Sequence, residues 1–350
     1  MIGRVSVNIG DLRQRQGLPL EQKIIKSIAT IEQYYEMYDG DIYISKGGVD
    51  SNVVQWLMSQ SRYKDIECVC VASVEPVENI KHNFDLGNTL LKSTITKKEV
   101  ITDWGYPLIS KQVAMSISRY ERTKREDQKQ YRLYGSVVDG KKLTSGVIPK
   151  KYRELIYAPF EVSEACCNKT KKKPLHDYEK TNGKHPITGE MASESKNRQD
   201  NYLKHGCIMH DKKKVKCTPI GFWTSQDVMD CIYTHNISIP KIYGEVIKLD
   251  DGTFKFSGEQ RTGCEICSFG IMFDTERFIR LEERKPKLYK QMMSGGKWIR
   301  KDLYRWVKFR IGSMPIWSNL YWVPDDVGYG YRFVLNYFYK VIKSDKIIKG

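Results

Sequence analysis

The apolar run Asp41 to Ile44 leads into a Gly47-Gly48 turn. Asn52 to Gln60 then reads as a helix, and Ile66 to Val71 as a second apolar run. Strand, glycine turn, helix and strand in that order make a βαβ unit. Such a unit demands a parallel sheet with a right-handed crossover. Upstream, Leu18 to Tyr38 has helical periodicity, with Ile24, Ile25, Ile28, Ile31 and Tyr35 at matching spacing. Asp39-Gly40 ends that helix.

The remaining chain alternates in the same manner. Lys97 to Trp104 and Ser110 to Tyr134 read as helices, the second highly charged and exposed. Gly135 to Pro149 is a polar turn region. Val162 to Asn168 places the vicinal pair Cys166-Cys167 on a helix, and Lys180 to Gly189 is a loop entering a strand. Ser193 to Lys204 and Thr224 to His235 are helical, and Asp250-Asp251-Gly252 marks a hairpin within Val246 to Phe256. Thr275 to Met293 is helical, and an aromatic-rich tail follows. The expected fold class is α/β, a parallel twisted sheet flanked by helices, with a four-Cys metal subregion and a C-terminal extension. The corresponding boundaries are 1–290 for the main domain, about 160–270 for the metal subregion, and 291–350 for the extension.

At 350 residues with 40% hydrophobic content, the chain has enough apolar material for a sizeable core. No apolar stretch reaches the roughly 18 residues of a membrane span, and the opening residues lack an apolar signal core, so a cytoplasmic protein is expected. Nine cysteines in clustered spacing favour metal ligation or catalysis over a disulfide framework. The net charge of +16 suits an anionic partner, nucleic acid or polyphosphate, and basic residues bunch at Lys169 to Lys173 and Lys212 to Lys216. The plain reading of both runs is solvated surface.

Three groups of residues carry candidate chemistry. In the turn Ser45-Lys46-Gly47-Gly48-Val49-Asp50-Ser51, the glycines let the backbone approach phosphate and the helix N-terminus adds N–H donors. Ser45, Lys46 and Ser51 are candidate donors to phosphate, and Asp50 is placed to hold magnesium or cap the helix. The turn is not a GxxxxGK[ST] loop. The second group, Cys166, Cys167, Cys264 and Cys267, offers four thiolates to one centre, either tetrahedral zinc or a 4Fe–4S cluster. The third is GEMASESKNR, where Ser193 or Ser195 caps a helix and Arg198 is suited to clamp a phosphate or sulfate-like group.

Taken in order, the glycine turn, CCNKTKKKPL, GEMASESKNR, PIGFWTSQDVMDCIY and TGCEIC resemble the phosphoadenosine-phosphosulfate reductase family. LPLEQKI and GYPLISKQ are similar to its iron–sulfur, phage and mobile-element type. The family's CC pattern is met by Cys166, Cys167, Lys171, Pro174 and Leu175, with Thr170 where a basic residue is usual. The spacing of Trp223, Asp227, Pro240 and Tyr243 also fits. The resemblance covers roughly residues 16 to 290. It implies an adenine nucleotide alpha-hydrolase-like fold and a 4Fe–4S cluster on the four cysteines. It also implies an adenine-nucleotide site that takes in Lys171, Ser195 and Arg198.

The departures redirect the expected chemistry. No cysteine follows Cys267, where the reductases carry a nucleophile, and Met191 stands where they carry an arginine. The turn reads KGG instead of SGG, and Glu75 stands in for an acidic position after the second strand. The expectation is an ATP pyrophosphatase that adenylates nucleic acid, with Asp50 and Arg198 catalytic and Mg2+ on the phosphates. A sulfur donor, with a donor protein as a candidate partner, then completes a sulfurtransferase reaction. The alternatives are a sulfonucleotide reductase using an external thiol and a non-catalytic nucleotide- or nucleic-acid-binding regulator.

Overall fold

The computed structural model describes residues 6–73, 75–211, 214–270, 274, 276–293, 297–300, 320–323 and 334–338. The chain divides into two compact units. One comprises Met1–Ser93 with Lys171–Glu265, the other Thr94–Thr170 with Ile266–Gly350.

The first unit is built on six strands: β1 (Ile42–Lys46), β2 (Cys68–Val71), β3 (Thr89–Leu91), β4 (His185–Ile187), β5 (Ile208–Asp211) and β6 (Lys214–Cys217). Their order across the sheet is β3-β2-β1-β4-β6-β5. All neighbours run parallel except β5, which returns antiparallel to β6. The α/β class and the mostly parallel sheet flanked by helices are as the sequence implied. Register follows the buried pattern, with Ile44 opposite Cys68 on one side and Ile187 on the other. Ile42 and Ile44 sit in one core with Val53, Val54 and Leu57 from the helix Asp50–Ser59.

The helix Leu20–Met37 packs Ile24, Ile28, Ile31 and Tyr35 of its expected apolar stripe against the core. Its buried residues are Lys23, Ser27, Ile31 and Tyr34, while Ile25 is 66% exposed. The two buried polar side chains beside that stripe, Lys23 and Ser27, both find partners. Lys23 Nζ reaches Asp227 at 2.6 Å and the Gln16 carbonyl at 2.6 Å. Ser27 Oγ accepts from Trp223 Nε1–H at 3.0 Å and donates to the Pro219 carbonyl at 2.9 Å. Asp39 and Gly40 both take the left-handed backbone just beyond this helix, as its expected stop requires.

Several elements depart from expectation. The strand β3 is half-buried and only three residues long, too short to show a strand period in sequence. The strand β6 begins inside a basic run read as surface, and its Lys216 is buried against Glu190 at 2.6 Å. Lys212 and Lys213 lie outside the described residues.

In the second unit, the helix expected over Ser110 to Tyr134 is two helices, Lys111–Arg122 and Glu126–Tyr134. The extended conformations of Thr123 and Arg125 separate them. The polar region after it holds the hairpin Ser136–Val138 and Lys141–Leu143. Asp139 and Gly140 both have positive φ there, which is the two-residue turn geometry hairpins favour. Leu108, Ile117, Leu155, Val162 and Phe338 lie in this unit's own core. Pro286 divides the expected helix Thr275 to Met293 into Arg277–Arg284 and Pro286–Met293. Among the described residues, no helix is long and apolar enough to cross a membrane.

Candidate functional site

In the first unit, β1 connects through its helix to β2 on one side, while β4 lies on the other. Chain connections leave in opposite directions here, and a crevice opens at the carboxyl ends of such strands. The loops after β1 and β4 meet closely, since a Cβ added to Gly189 would stand 2.8 Å from the Asp50 carbonyl carbon.

The turn after β1 is held by its own hydroxyl. Ser51 Oγ accepts from the Gly47 N–H at 3.0 Å and donates to the Gly48 carbonyl at 2.6 Å. Neither Gly47 nor Gly48 has positive φ, so their value is close approach. A Cβ on Gly48 would stand 3.2 Å from Tyr243 Oη, and one on Gly47 3.5 Å from Lys171 Nζ. Tyr243 Oη accepts from the Val49 N–H at 3.1 Å and lies 2.6 Å from Thr262 Oγ1. Burial pushes this phenol up to about 12, so it stays neutral at ordinary pH.

A cavity of about 400 Å³ opens beside the turn, within the range typical of ligand pockets. Its charged lining comprises Asp50, Glu75, Lys171, Glu194, Arg198 and Arg261, and its apolar wall includes Met191, Val228, Met229 and Phe256. The charges are pre-paired. Lys171 Nζ donates to Glu75 Oε1 at 2.7 Å, and Asn79 Nδ2 donates to Glu75 Oε2 at 3.1 Å. Burial works to lower the Lys171 pKa. Glu75 overcomes it, with Cys264 and Cys70 adding to the effect, and the ammonium is held above the usual lysine range. The Glu194 carboxylate, nearly buried, receives Arg198 on one oxygen and Arg261 at 2.9 Å on the other. Each guanidinium has five N–H donors, so both keep donors for a ligand. Asp50 is half-buried, and desolvation pushes its carboxyl up to about 6 against the pull of Arg261 and Arg198.

Of the residues singled out in the sequence, Gly48, Asp50, Lys171 and Arg198 line this cavity, and Gly47 is adjacent to Lys171. Ser45, Lys46, Ser51 and Ser195 are not among its lining residues. Lys46 Nζ is buried, donating to Asn52 Oδ1, to Gln55 Oε1 at 2.7 Å and to the Ser51 carbonyl at 3.4 Å. Ser195 caps the helix Lys196–His205 by accepting from the Arg198 N–H at 3.4 Å. Within the first basic run, Lys171 is paired with Glu75 and Lys173 with Asp177 at 2.5 Å, so those charges are committed. Glu194 lies inside GEMASESKNR without being singled out there, and Arg261 lies just before TGCEIC, outside every motif. For Glu194 the legible signal is the SES stretch before the helix, where its Oε2 accepts from the Met191 N–H at 3.0 Å.

Cys264 belongs to the first unit, and Cys166, Cys167 and Cys267 to the second. The short helix Ala165–Cys167 continues into a π turn, Asn168–Lys172. Four thiols suit zinc or an iron–sulfur cluster in kind. Among the described residues, no three His, Cys, Asp or Glu side chains are gathered into a metal-binding group.

The family model described as phosphoadenosine phosphosulfate reductase domain matches residues 41–269. No curated protein matches the chain. Among solved structures, the chain is similar to the phosphoadenylyl-sulfate reductase from Candida auris in its phosphate complex. That match has 10% identity and a TM-score of 0.36, and covers 74% of this chain and 100% of that one.

Proposed function

This chain belongs to the phosphoadenosine phosphosulfate reductase family, and from that premise we propose that it is an adenylating enzyme of the family's iron–sulfur, phage and mobile-element type. In this reading it is an ATP pyrophosphatase that prepares a nucleic acid for sulfur transfer. The observation that carries the reading is the cavity beside the Gly47-Gly48 turn. There Asp50, Lys171, Arg198 and Arg261 surround one space at the carboxyl ends of parallel strands. Backbone N–H groups at the start of the helix Asp50–Ser59 and two partly committed guanidiniums suit a polyphosphate. Asp50, ionised above about pH 6, suits a magnesium ion on that polyphosphate.

In this reading a substrate oxygen attacks the α-phosphorus, pyrophosphate leaves, and sulfur from a donor then displaces the adenylate. Arg198 and Arg261 stabilise charge on the departing phosphates, and Lys171 exchanges part of its contact with Glu75 for phosphate. Cys166, Cys167, Cys264 and Cys267 would hold a 4Fe–4S cluster, with zinc as the lesser alternative. The cluster would supply a sulfur-binding or electron-donating centre. The +16 net charge supports a nucleic-acid partner, and the reading places the protein in the cytoplasm.

The test is pyrophosphate release from ATP by anaerobically purified protein, with and without DNA or RNA, alongside iron and sulfide assays. Asp50→Ala should abolish release and leave iron content unchanged. Release that is undiminished in this variant overturns the assignment. A second reading, reduction of a sulfonucleotide by an external thiol, is favoured by the family match itself. Sulfite released from a sulfonucleotide, without pyrophosphate from ATP, would put it first. Met191, buried and apolar where the resemblance places an arginine in the reductases, favours the first reading.

A further inference from the structure

The second unit carries a surface that the cavity chemistry does not use. Residues 119–157 hold eleven Lys or Arg against five Asp or Glu, with five tyrosines interleaved. Two of these tyrosines are strongly exposed, Tyr134 at 60% and Tyr157 at 79%. Tyr120 lies within electrostatic reach of both, so the three form one cluster.

Cations are laid on the rings. The Arg153 guanidinium stands 5.2 Å from the Tyr134 ring centre, and Lys129 Nζ 6.0 Å from that of Tyr120. Arg153 is fixed from behind, donating to the Leu133 carbonyl and to the Ile148 carbonyl at 3.4 Å. Arg132 donates to the Gly146 carbonyl at 3.1 Å. Some charge here is spent, since Arg125 pairs with Asp127, Arg122 with Glu161 and Lys129 with Glu126. Lys150 and Lys151 are exposed at the start of the helical turn that ends in Tyr157.

We propose that this tyrosine-and-cation surface binds single-stranded nucleic acid, with bases on Tyr134 and Tyr157 and phosphates on Lys150, Lys151 and Arg153. Open aromatic faces beside fixed cations are what unpaired bases and a phosphate backbone require. A duplex hides the base faces, and an acidic protein or an anionic membrane has no use for them. The inference stands without the reading of the cavity, because every residue in it belongs to the second unit.

Fluorescence anisotropy of the full chain with labelled oligo-dT and oligo-U tests it. Tyr134→Ala with Tyr157→Ala should weaken binding by roughly tenfold or more. Tyr134→Phe with Tyr157→Phe should retain it, because the ring face is kept. Lys150→Gln with Lys151→Gln should flatten the log–log salt dependence by about 0.7 per lost contact. The alanine pair should leave heparin binding unchanged. Unchanged oligonucleotide affinity in the alanine pair overturns the proposal, as does an unchanged salt slope in the lysine pair. Loss in the phenylalanine pair assigns the effect to the hydroxyls and overturns stacking. Equal loss of heparin or of phosphatidylserine vesicles would show a general polyanion surface and also overturn it.

Discussion

Lys46 shows how one residue's chemistry changes with its address. Next to a glycine turn, a lysine reads as a phosphate ligand, yet this side chain lies on the inner face of β1 with Ile42 and Ile44. Burial lowers its pKa to about 8, with Cys68 and Cys70 opposing. Those thiols are themselves pushed up to about 11 by burial and remain protonated across most of the window that matters. The unfolded chain keeps the lysine proton to about pH 10.4, whereas the folded chain releases it from about 8. Between these values the unfolded state binds more protons, so stability should rise with pH across that window. Urea midpoints from pH 7 to 10 should show the wild type gaining on Lys46→Met as pH climbs. A constant gap between the two proteins would mean that Lys46 titrates normally.

At the scale of elements, the clearest case is the helix Leu20–Met37 against the helix Ser225–His235. Asp227 serves two partners. It receives the buried Lys23 ammonium at 2.6 Å and accepts from the Thr224 N–H at 2.7 Å in a reciprocal cap. Asp227→Ala leaves the Lys23 charge buried with only the Gln16 carbonyl, a loss of about 3 kcal/mol. Adding Lys23→Met should recover part of that loss, and a double-mutant cycle by chemical denaturation measures the coupling. The sequence placed a helix start at Thr224, with Asp227 in the first turn, but nothing in it said that a lysine on the facing helix would turn inward. The βαβ unit was legible because Ile42 to Ile44 and Cys68 to Val71 are buried runs around a glycine turn. The three-residue β3 and the basic β6 were not, because their placement comes from the sheet and not from their own pattern. The same limit governed the site. Asp50, Lys171 and Arg198 lay in motifs, while Arg261 entered only through its tertiary contact with Glu194.

For the whole molecule, the order of strands in the sheet separates neighbours in space from neighbours in sequence. The left half, β1 to β3, is contiguous in the chain, but β1 finds its second partner only when Ile42 pairs with His185. The whole segment Thr94–Thr170, which belongs to the second unit, intervenes. Long-range parallel pairing of this type is slow and leaves strand edges open while it waits. Ribosome-stalled chains ending before β4 should therefore be cleaved readily by protease within β1 to β3. Chains stalled well past β6 should resist, and equal resistance in both would mean that the left half folds alone. Translation gives the delay a clock. At about 5–20 residues per second, the roughly 140 residues between the two strands take on the order of 7–28 s to emerge. For that interval, every newly made copy presents one bare hydrophobic strand edge to the cell, and the cost of this topology is borne during synthesis.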